Sequence, residues 1–204
     1  LTGTNSGQVR VFQWNGTTWL QMGADIDGEA AGDIFGISVD LSADGTVLAA
    51  GSYGNDGNGS ESGHVRVFEW NGTAWLQKGL DVNGEAAGDH FGSSLSLSAS
   101  GNEWVAGAAQ NDGGGQDAGH ARIFYWSGTA WLQRGSDIDG ESLLDQSGID
   151  VGMSDDGNTV IIGAYFNDGA GSNAGHARVY EWTGTAWSQV GSDLDGEAAD
   201  DWFG

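Results

Sequence analysis

Apolar and polar side chains alternate along "FGISVDLS", residues 35–42, with Phe35, Ile37, Val39 and Leu41 on one face and Gly36, Ser38 and Asp40 on the other. A period of two predicts a half-buried β-strand. Three further stretches of the first full repeat read the same way. "HVRVFEW" (64–70) is β-branched and aromatic, "WLQKGLDV" (75–82) follows it after a short turn, and "TVLAAGS" (46–52) carries small residues suited to close packing. Nowhere does a 3.6-residue period persist, so the expected class is all-β. The turns are written in Asn, Asp and Gly. Asn15-Gly16 and Asn71-Gly72 predict tight hairpins, because both residue types accept positive φ, and Ser127-Gly128 and Thr183-Gly184 stand at the same places later. A four-residue loop there sets Trp14 opposite Trp19 as a cross-strand pair.

The pattern repeats. "GQVRVFQW" begins at Gly7, "GHVRVFEW" at Gly63, "GHARIFYW" at Gly119 and "GHARVYEW" at Gly175, a constant step of 56 residues. Four strands per period of this length is the arithmetic of a β-propeller blade. The expected organisation is a single array over 1–204. Residues 1–34 form a partial repeat of two outer strands, 35–90, 91–146 and 147–202 form blades, and 203–204 begin another. Three blades and two strands are too few for the usual closed ring. The expectation is therefore a stretch of a longer propeller, or neighbouring chains that complete one another and propagate head to tail into a filament. An open β-solenoid is a third geometry for the same period.

Charge narrows the partners. Six Lys plus Arg against 29 Asp plus Glu give a formal charge of −23, which repels nucleic acid and anionic membrane surfaces. Cations and basic protein or glycan-bearing surfaces are the natural counterparts. Ten Trp argue for a folded chain despite the acidity. With no Cys there are neither disulfides nor thiolate metal sites, and no apolar run is long enough to insert in a membrane. No signal peptide is visible in "LTGTNSG".

The run "FGISVDLSADGTVLAAGS" (35–52), followed after a loop by "GHVRVFEW", resembles the FG-GAP repeat of integrin-α-like β-propellers. The Phe-Gly pair recurs at Phe35-Gly36, Phe91-Gly92 and Phe203-Gly204, and a Gly-Ala step stands at Gly107-Ala108 and Gly163-Ala164. The third copy departs, reading Gln146-Ser147-Gly148. The resemblance implies a non-enzymatic extracellular or cell-surface module for adhesion or scaffolding. It also implies blades whose acidic loops gather on one face and whose Trp hairpins gather on the other. The family's long calcium loop between the first two strands has no counterpart here, since that connection is only "SADGT", "SASGN" or "SDDGN".

Candidate chemistry sits mainly in the acidic phrase "DIDGEAAGD" and its echoes. Asp25, Asp27, Glu29 and Asp33, then Asp81, Asn83, Glu85 and Asp89, then Asp137, Asp139, Glu141 and Asp145, then Asp193, Asp195, Glu197 and Asp201 supply oxygen donors of the kind Ca²⁺ takes. The competing reading is a solvated joint between blades. Arg10, Arg66, Arg122 and Arg178 read as blade-to-blade struts, paired with a carboxylate or stacked on Trp, and His64, His120 and His176 as structural neighbours of those struts. The pairs Trp14/Trp19, Trp70/Trp75, Trp126/Trp131 and Trp182/Trp187 serve either inter-blade packing or sugar stacking, as in a lectin-like propeller. Asn55-Asp56, Asn111-Asp112 and Asn167-Asp168 read as turn caps. Asn15, Asn58 and Asn71 are N-glycosylation acceptors if a glycosylating cell secretes the chain. No triad, P-loop or dinucleotide fingerprint is present, so an enzyme is not expected.

Overall fold

The computed structural model describes residues 3–204. They form an all-β array without helix, in which each full repeat is one antiparallel sheet. The first blade orders Val39–Leu41, Val47–Ser52, His64–Trp70 and Trp75–Gln77, with Val82–Asn83 also pairing along the third strand. The second runs Ser94–Leu97, Glu103–Ala108, His120–Trp126 and Trp131–Gln133, with Ile138–Asp139 added. The third runs Val151–Met153, Thr159–Ala164, His176–Trp182 and Trp187–Gln189, with Leu194–Asp195 added. Ahead of them lie two small ladders, Gln8–Val9 with Ile26–Asp27 and Phe12–Trp14 with Trp19–Gln21.

Inner strands start later than the alternation predicts. Gly36, Gly92 and Gly148 sit at φ 86, 84 and 86°, the left-handed region that glycine tolerates, so Phe35 leaves the ladder and forms only an isolated parallel bridge with Gly7. Phe35 is buried, whereas Ile37, Val39 and Leu41 are exposed. The same bend brings successive blades together. Within the second blade the Gly92 amide donates to Gly107 O (2.9 Å), while Ser38 Oγ and Ser94 Oγ reach across to the following blade at Gly92 O (2.7 Å) and Gly148 O (2.8 Å). A Cβ on Gly51 or Gly107 would strike those carbonyl oxygens. The "Gly-Ala" step is therefore a place where two backbones touch.

The core lies between sheets. Trp104, fully buried, stacks on Phe124 (centroids 4.5 Å) beside Phe91, within a cluster that draws Val65 and Val67 from one blade and Leu97 and Ala106 from the next. The hairpins match the expected register, with Trp14, Trp70, Trp126 and Trp182 opposite Trp19, Trp75, Trp131 and Trp187. Asn does a different job in them from the one expected. Positive φ falls on Gly16 and Gly72 alone of each Asn-Gly pair. Asn15 and Asn71 instead accept amide hydrogens from Thr17 and Thr18, and from Thr73 and Ala74, on Oδ1 (each 2.9 Å). Ser127 and Thr183 hydroxyls accept the corresponding Ala130 and Ala186 amides, at 3.0 and 3.2 Å. A side-chain acceptor, which Ser and Thr also provide, is what that position requires.

Candidate functional site

Three kinds of residue join each repeat to the next. The first is arginine. Arg66, Arg122 and Arg178 are buried, and each Nη2 donates to a backbone carbonyl of the preceding repeat: Asp27 O (2.8 Å), Asn83 O (2.7 Å) and Asp139 O (2.7 Å). Their Nη1 atoms face Glu29, Glu85 and Glu141 at 3.8, 3.7 and 3.4 Å. The aromatic partner is Phe where Trp was expected: Arg66 lies 4.1 Å over Phe35 and Arg122 4.2 Å over Phe91. The aromatic of the Phe-Gly pair is thus the platform for the arginine on the third strand of its own blade. In the third joint Ser147 provides no ring, and Arg178 has only the more distant Tyr180 (5.7 Å). Arg10, exposed in the partial repeat, stands 6.0 Å over Phe12.

Tryptophan forms the second link. The indole N–H of Trp75, Trp131 and Trp187 donates to Met22 O (3.0 Å), Lys78 O (2.6 Å) and Arg134 O (2.6 Å), all in the preceding repeat. Arg134 lies 4.9 Å over Trp182 and Lys78 5.5 Å over Trp126, so the pairs cover cations of the neighbouring blade. Burial lowers the Lys78 ammonium pKa, and Glu69 and Glu103 partly offset that. Trp14 and Trp19 pack on each other (5.5 Å) but are exposed.

The acidic phrase is the third, and its members divide. Asp33, Asp89 and Asp145 are buried turn caps. Asp33 and Asp89 each accept two backbone amides, at 2.8 and 3.1 Å, and Asp145 accepts one at 3.0 Å; Asp201 takes the Ala198 amide at 2.8 Å. Asn111 Nδ2 and Asn167 Nδ2 also donate to Asp89 and Asp145. Asp27 accepts from Gln8 Nε2 at 2.9 Å, while Asp27, Asn83 and Asp139 lend their carbonyls to the arginines. Asp195 and Glu197 are exposed. The four members of one phrase do not gather around a point. Instead Glu29 of one phrase meets His64 and Asp81 of the next repeat, and Glu85 with His120 and Asp137, and Glu141 with His176 and Asp193, repeat the arrangement; in each set three potential ligand atoms lie within 4.8 Å of one another.

The histidines in these sets are 1% exposed. Burial first, then the adjacent Arg66 or Arg122, pushes the His64 and His120 imidazoles down to about 4, so both rings are neutral near pH 7. His176 is lowered for the same reasons. Desolvation raises the Glu85 and Asp139 carboxyls. Nothing local in the sequence joins the histidines to the acids, because 35 and 17 residues separate His64 from Glu29 and Asp81. The signal that connects them is the common 56-residue step.

Of the glycosylation acceptors, Asn58 donates its Nδ2 to Gly84 O (2.9 Å) and Glu85 O (2.7 Å), a nitrogen already engaged with the acidic phrase of its own blade. Asn15 and Asn71 are exposed at their hairpin tips.

Comparison with known proteins agrees with the repeat geometry. The family model for the FG-GAP repeat matches residues 26–68. That stretch is similar to an FG-GAP repeat. Steps of 56 place the same strands and joints in the two later copies. A comparison with curated proteins finds no match. Among solved structures, a putative 6-phosphogluconolactonase from Bacteroides fragilis is similar in fold, with TM-score 0.58 and 17% identity over 91% of this chain and 51% of that one. A second putative 6-phosphogluconolactonase, from Bacteroides uniformis, gives TM-score 0.52 and 14% identity over 77% and 40%. The chain thus spans about half or less of these neighbours. The likeness concerns the propeller-like fold alone. No helix among the described residues is long and apolar enough to cross a membrane.

Proposed function

We propose that this FG-GAP module is a non-enzymatic, extracellular interaction element that presents an acidic face to basic protein surfaces. The observation that carries this reading is that arginine, indole and buried carboxylate recur at every joint, each tied to the neighbouring repeat. A catalytic centre would instead need one asymmetric constellation. The remaining exposed carboxylates and the formal charge of −23 supply long-range attraction to cationic partners. With Asp33 and Asp89 committed to turns, a phrase retains few side-chain oxygens for a calcium ion that takes six to eight, so direct ionic contact is favoured over a calcium loop. At 17% identity the lactonase neighbour supports the fold and not its own activity in this chain.

The test is adhesion of the purified chain to immobilised basic extracellular proteins at rising salt, with and without EDTA, alongside an assay for 6-phosphogluconolactone hydrolysis. Binding should weaken steeply with salt and ignore EDTA, and no turnover should appear. Lactone turnover, or binding indifferent to salt, would overturn the reading.

A second reading is head-to-tail self-association. Ile37, Val39 and Leu41 are 50%, 53% and 43% exposed along the first blade's inner strand, a row that a further sheet would cover. Concentration-dependent rods or fibres in electron microscopy support it, and a strictly monomeric particle at high concentration refutes it.

A further inference from the structure

The His-centred sets at the joints do something the repeat architecture does not require. Both ring nitrogens of His64 and of His176 are buried without a hydrogen-bond partner, an arrangement that native interiors avoid unless a group, water or ion completes it. Each ring edge is nevertheless aimed at carboxylates. His64 Nδ1 stands 4.0 Å from Glu29 Oε2, and His176 Nδ1 stands 3.9 Å from Glu141 Oε2 and 3.8 Å from Asp193 Oδ2. These separations are too long for hydrogen bonds. They are close to the roughly 3.4 Å between two ligands of one tetrahedral ion with bonds of about 2.1 Å.

We propose that each joint binds a divalent first-row transition ion of the zinc class through one imidazole Nδ1 and two carboxylates: Glu29, His64 and Asp81 in the first, and the sets centred on His120 and His176 in the others. Mixed nitrogen and oxygen donors suit zinc and its neighbours better than calcium, which takes oxygen alone. The carboxylates are oriented from behind, as outer partners orient metal ligands. Gln77, Gln133 and Gln189 donate Nε2 to Oδ1 of Asp81, Asp137 and Asp193 at 2.5, 2.5 and 2.6 Å, and at the third joint Asp193 Oδ2 is left facing the His176 ring. On the other side, Arg66 Nη1 faces Glu29 Oε1 (3.8 Å), leaving Oε2 toward the ring. The glutamates are about half exposed and give the ion an entry path. One ion would tie two successive repeats, because Glu comes from one and His and Asp from the next.

The partial repeat supplies a built-in control. Gln8 stands where the others have His, and its Nε2 donates to Asp25 Oδ2 at 3.0 Å, closing the same space without a metal ligand. His→Gln is therefore the chosen substitution. Chelator-stripped protein is dialysed against Zn²⁺ and its metal content measured, with Ca²⁺ in parallel. The expected result is three Zn²⁺ per chain, one lost with each of His64→Gln, His120→Gln and His176→Gln, and Ca²⁺ unable to displace zinc at equal concentration. Gln133→Leu should lower affinity at the middle joint about 10-fold to 100-fold while retaining the ligands. Zinc content unchanged in the triple His→Gln chain, or equal displacement by Ca²⁺, overturns the proposal. Should the triple variant fail to fold, imidazole ¹⁵N resonances of the unmutated chain decide: Zn²⁺ must shift His64, His120 and His176 and leave His90 in place, and any other pattern refutes the site. Metal content is read without any partner, so this result stands apart from the adhesion test.

Discussion

Replacing Arg122 by Met should cost far more than replacing Arg178 by Met, although the two arginines occupy equivalent positions. Both are buried to a similar degree, both donate at 2.7 Å to a carbonyl of the preceding repeat, and both face a half-exposed glutamate. They differ in what lies beneath the guanidinium. Arg122 rests 4.2 Å over Phe91, whereas the third joint has Ser147 in that place. A charge-assisted hydrogen bond contributes about 1.5–3 kcal/mol, a desolvated cation–π contact about 2 kcal/mol, and the exposed ion pair at most about 1 kcal/mol. Arg122→Met is expected to destabilise by about 4 kcal/mol and Arg178→Met by about 2 kcal/mol.

Because a repeat array need not unfold in one step, urea titration followed by Trp fluorescence should be paired with amide exchange along His120–Trp126 and His176–Trp182. A double-mutant cycle with Phe91→Leu isolates the ring, and its coupling energy with Arg122→Met should be about 1–2 kcal/mol. Equal losses at the two joints, or a coupling near zero, would refute the claim that the Phe-Gly aromatic acts as a cation platform.

Acid should unfold the metal-free protein earlier than its carboxylates alone require. His64 faces Arg66, Glu29, Asp81 and Asp33, and His120 faces Arg122, Glu85, Asp137 and Asp89. Both take up protons near pH 6.5 when unfolded but only near about 4 when folded, so stability is full above pH 6.5 and falls by about 3 kcal/mol per ring as the pH drops to 4; urea midpoints across that range in chelator check it, and a His64→Gln chain should show a shallower slope. Gly107→Ala would drive a methyl group into the Gly148 carbonyl oxygen and should destabilise by more than about 3 kcal/mol, read as loss of the cooperative melt. Trp131→Phe removes the 2.6 Å indole bond to Lys78 O and should cost about 1–3 kcal/mol. Trp19→Phe, at a 63% exposed position, should stay within about 0.5 kcal/mol in the same titration.

Strand content, hairpin register and the repeat step were legible in the sequence because each rests on local chemistry: period-two alternation, a turn acceptor beside glycine, and an unbroken spacing of 56. The partners of Arg66 and His64 were not. Phe35 and Glu29 lie 31 and 35 positions from them and come together only because the sheets pack. The acidic phrase misleads for a related reason. Its carboxylates are neighbours in sequence, yet Asp33 turns inward to cap its own loop while Asp25 and Glu29 turn toward opposite joints. Composition identifies oxygen donors; only packing decides which of them share a space.

The joints also determine how stability spreads along the chain. Each blade's third strand carries an arginine and a histidine that each meet a glutamate of the preceding repeat, and each fourth strand carries an indole bonded backward. A repeat separated from its predecessor would expose a stripped guanidinium, an unpaired indole and a glycine-lined groove, each group having lost its partner to solvent. Such an array gains little from its units alone and much from their interfaces. A weakened middle joint should therefore loosen the blades on both sides of it. Arg122→Met should accelerate amide exchange in Glu103–Ala108 and also in Val47–Ser52, one blade away, before it affects Thr159–Ala164. Exchange confined to the mutated sheet would mean that the blades, rather than the joints, are the cooperative units.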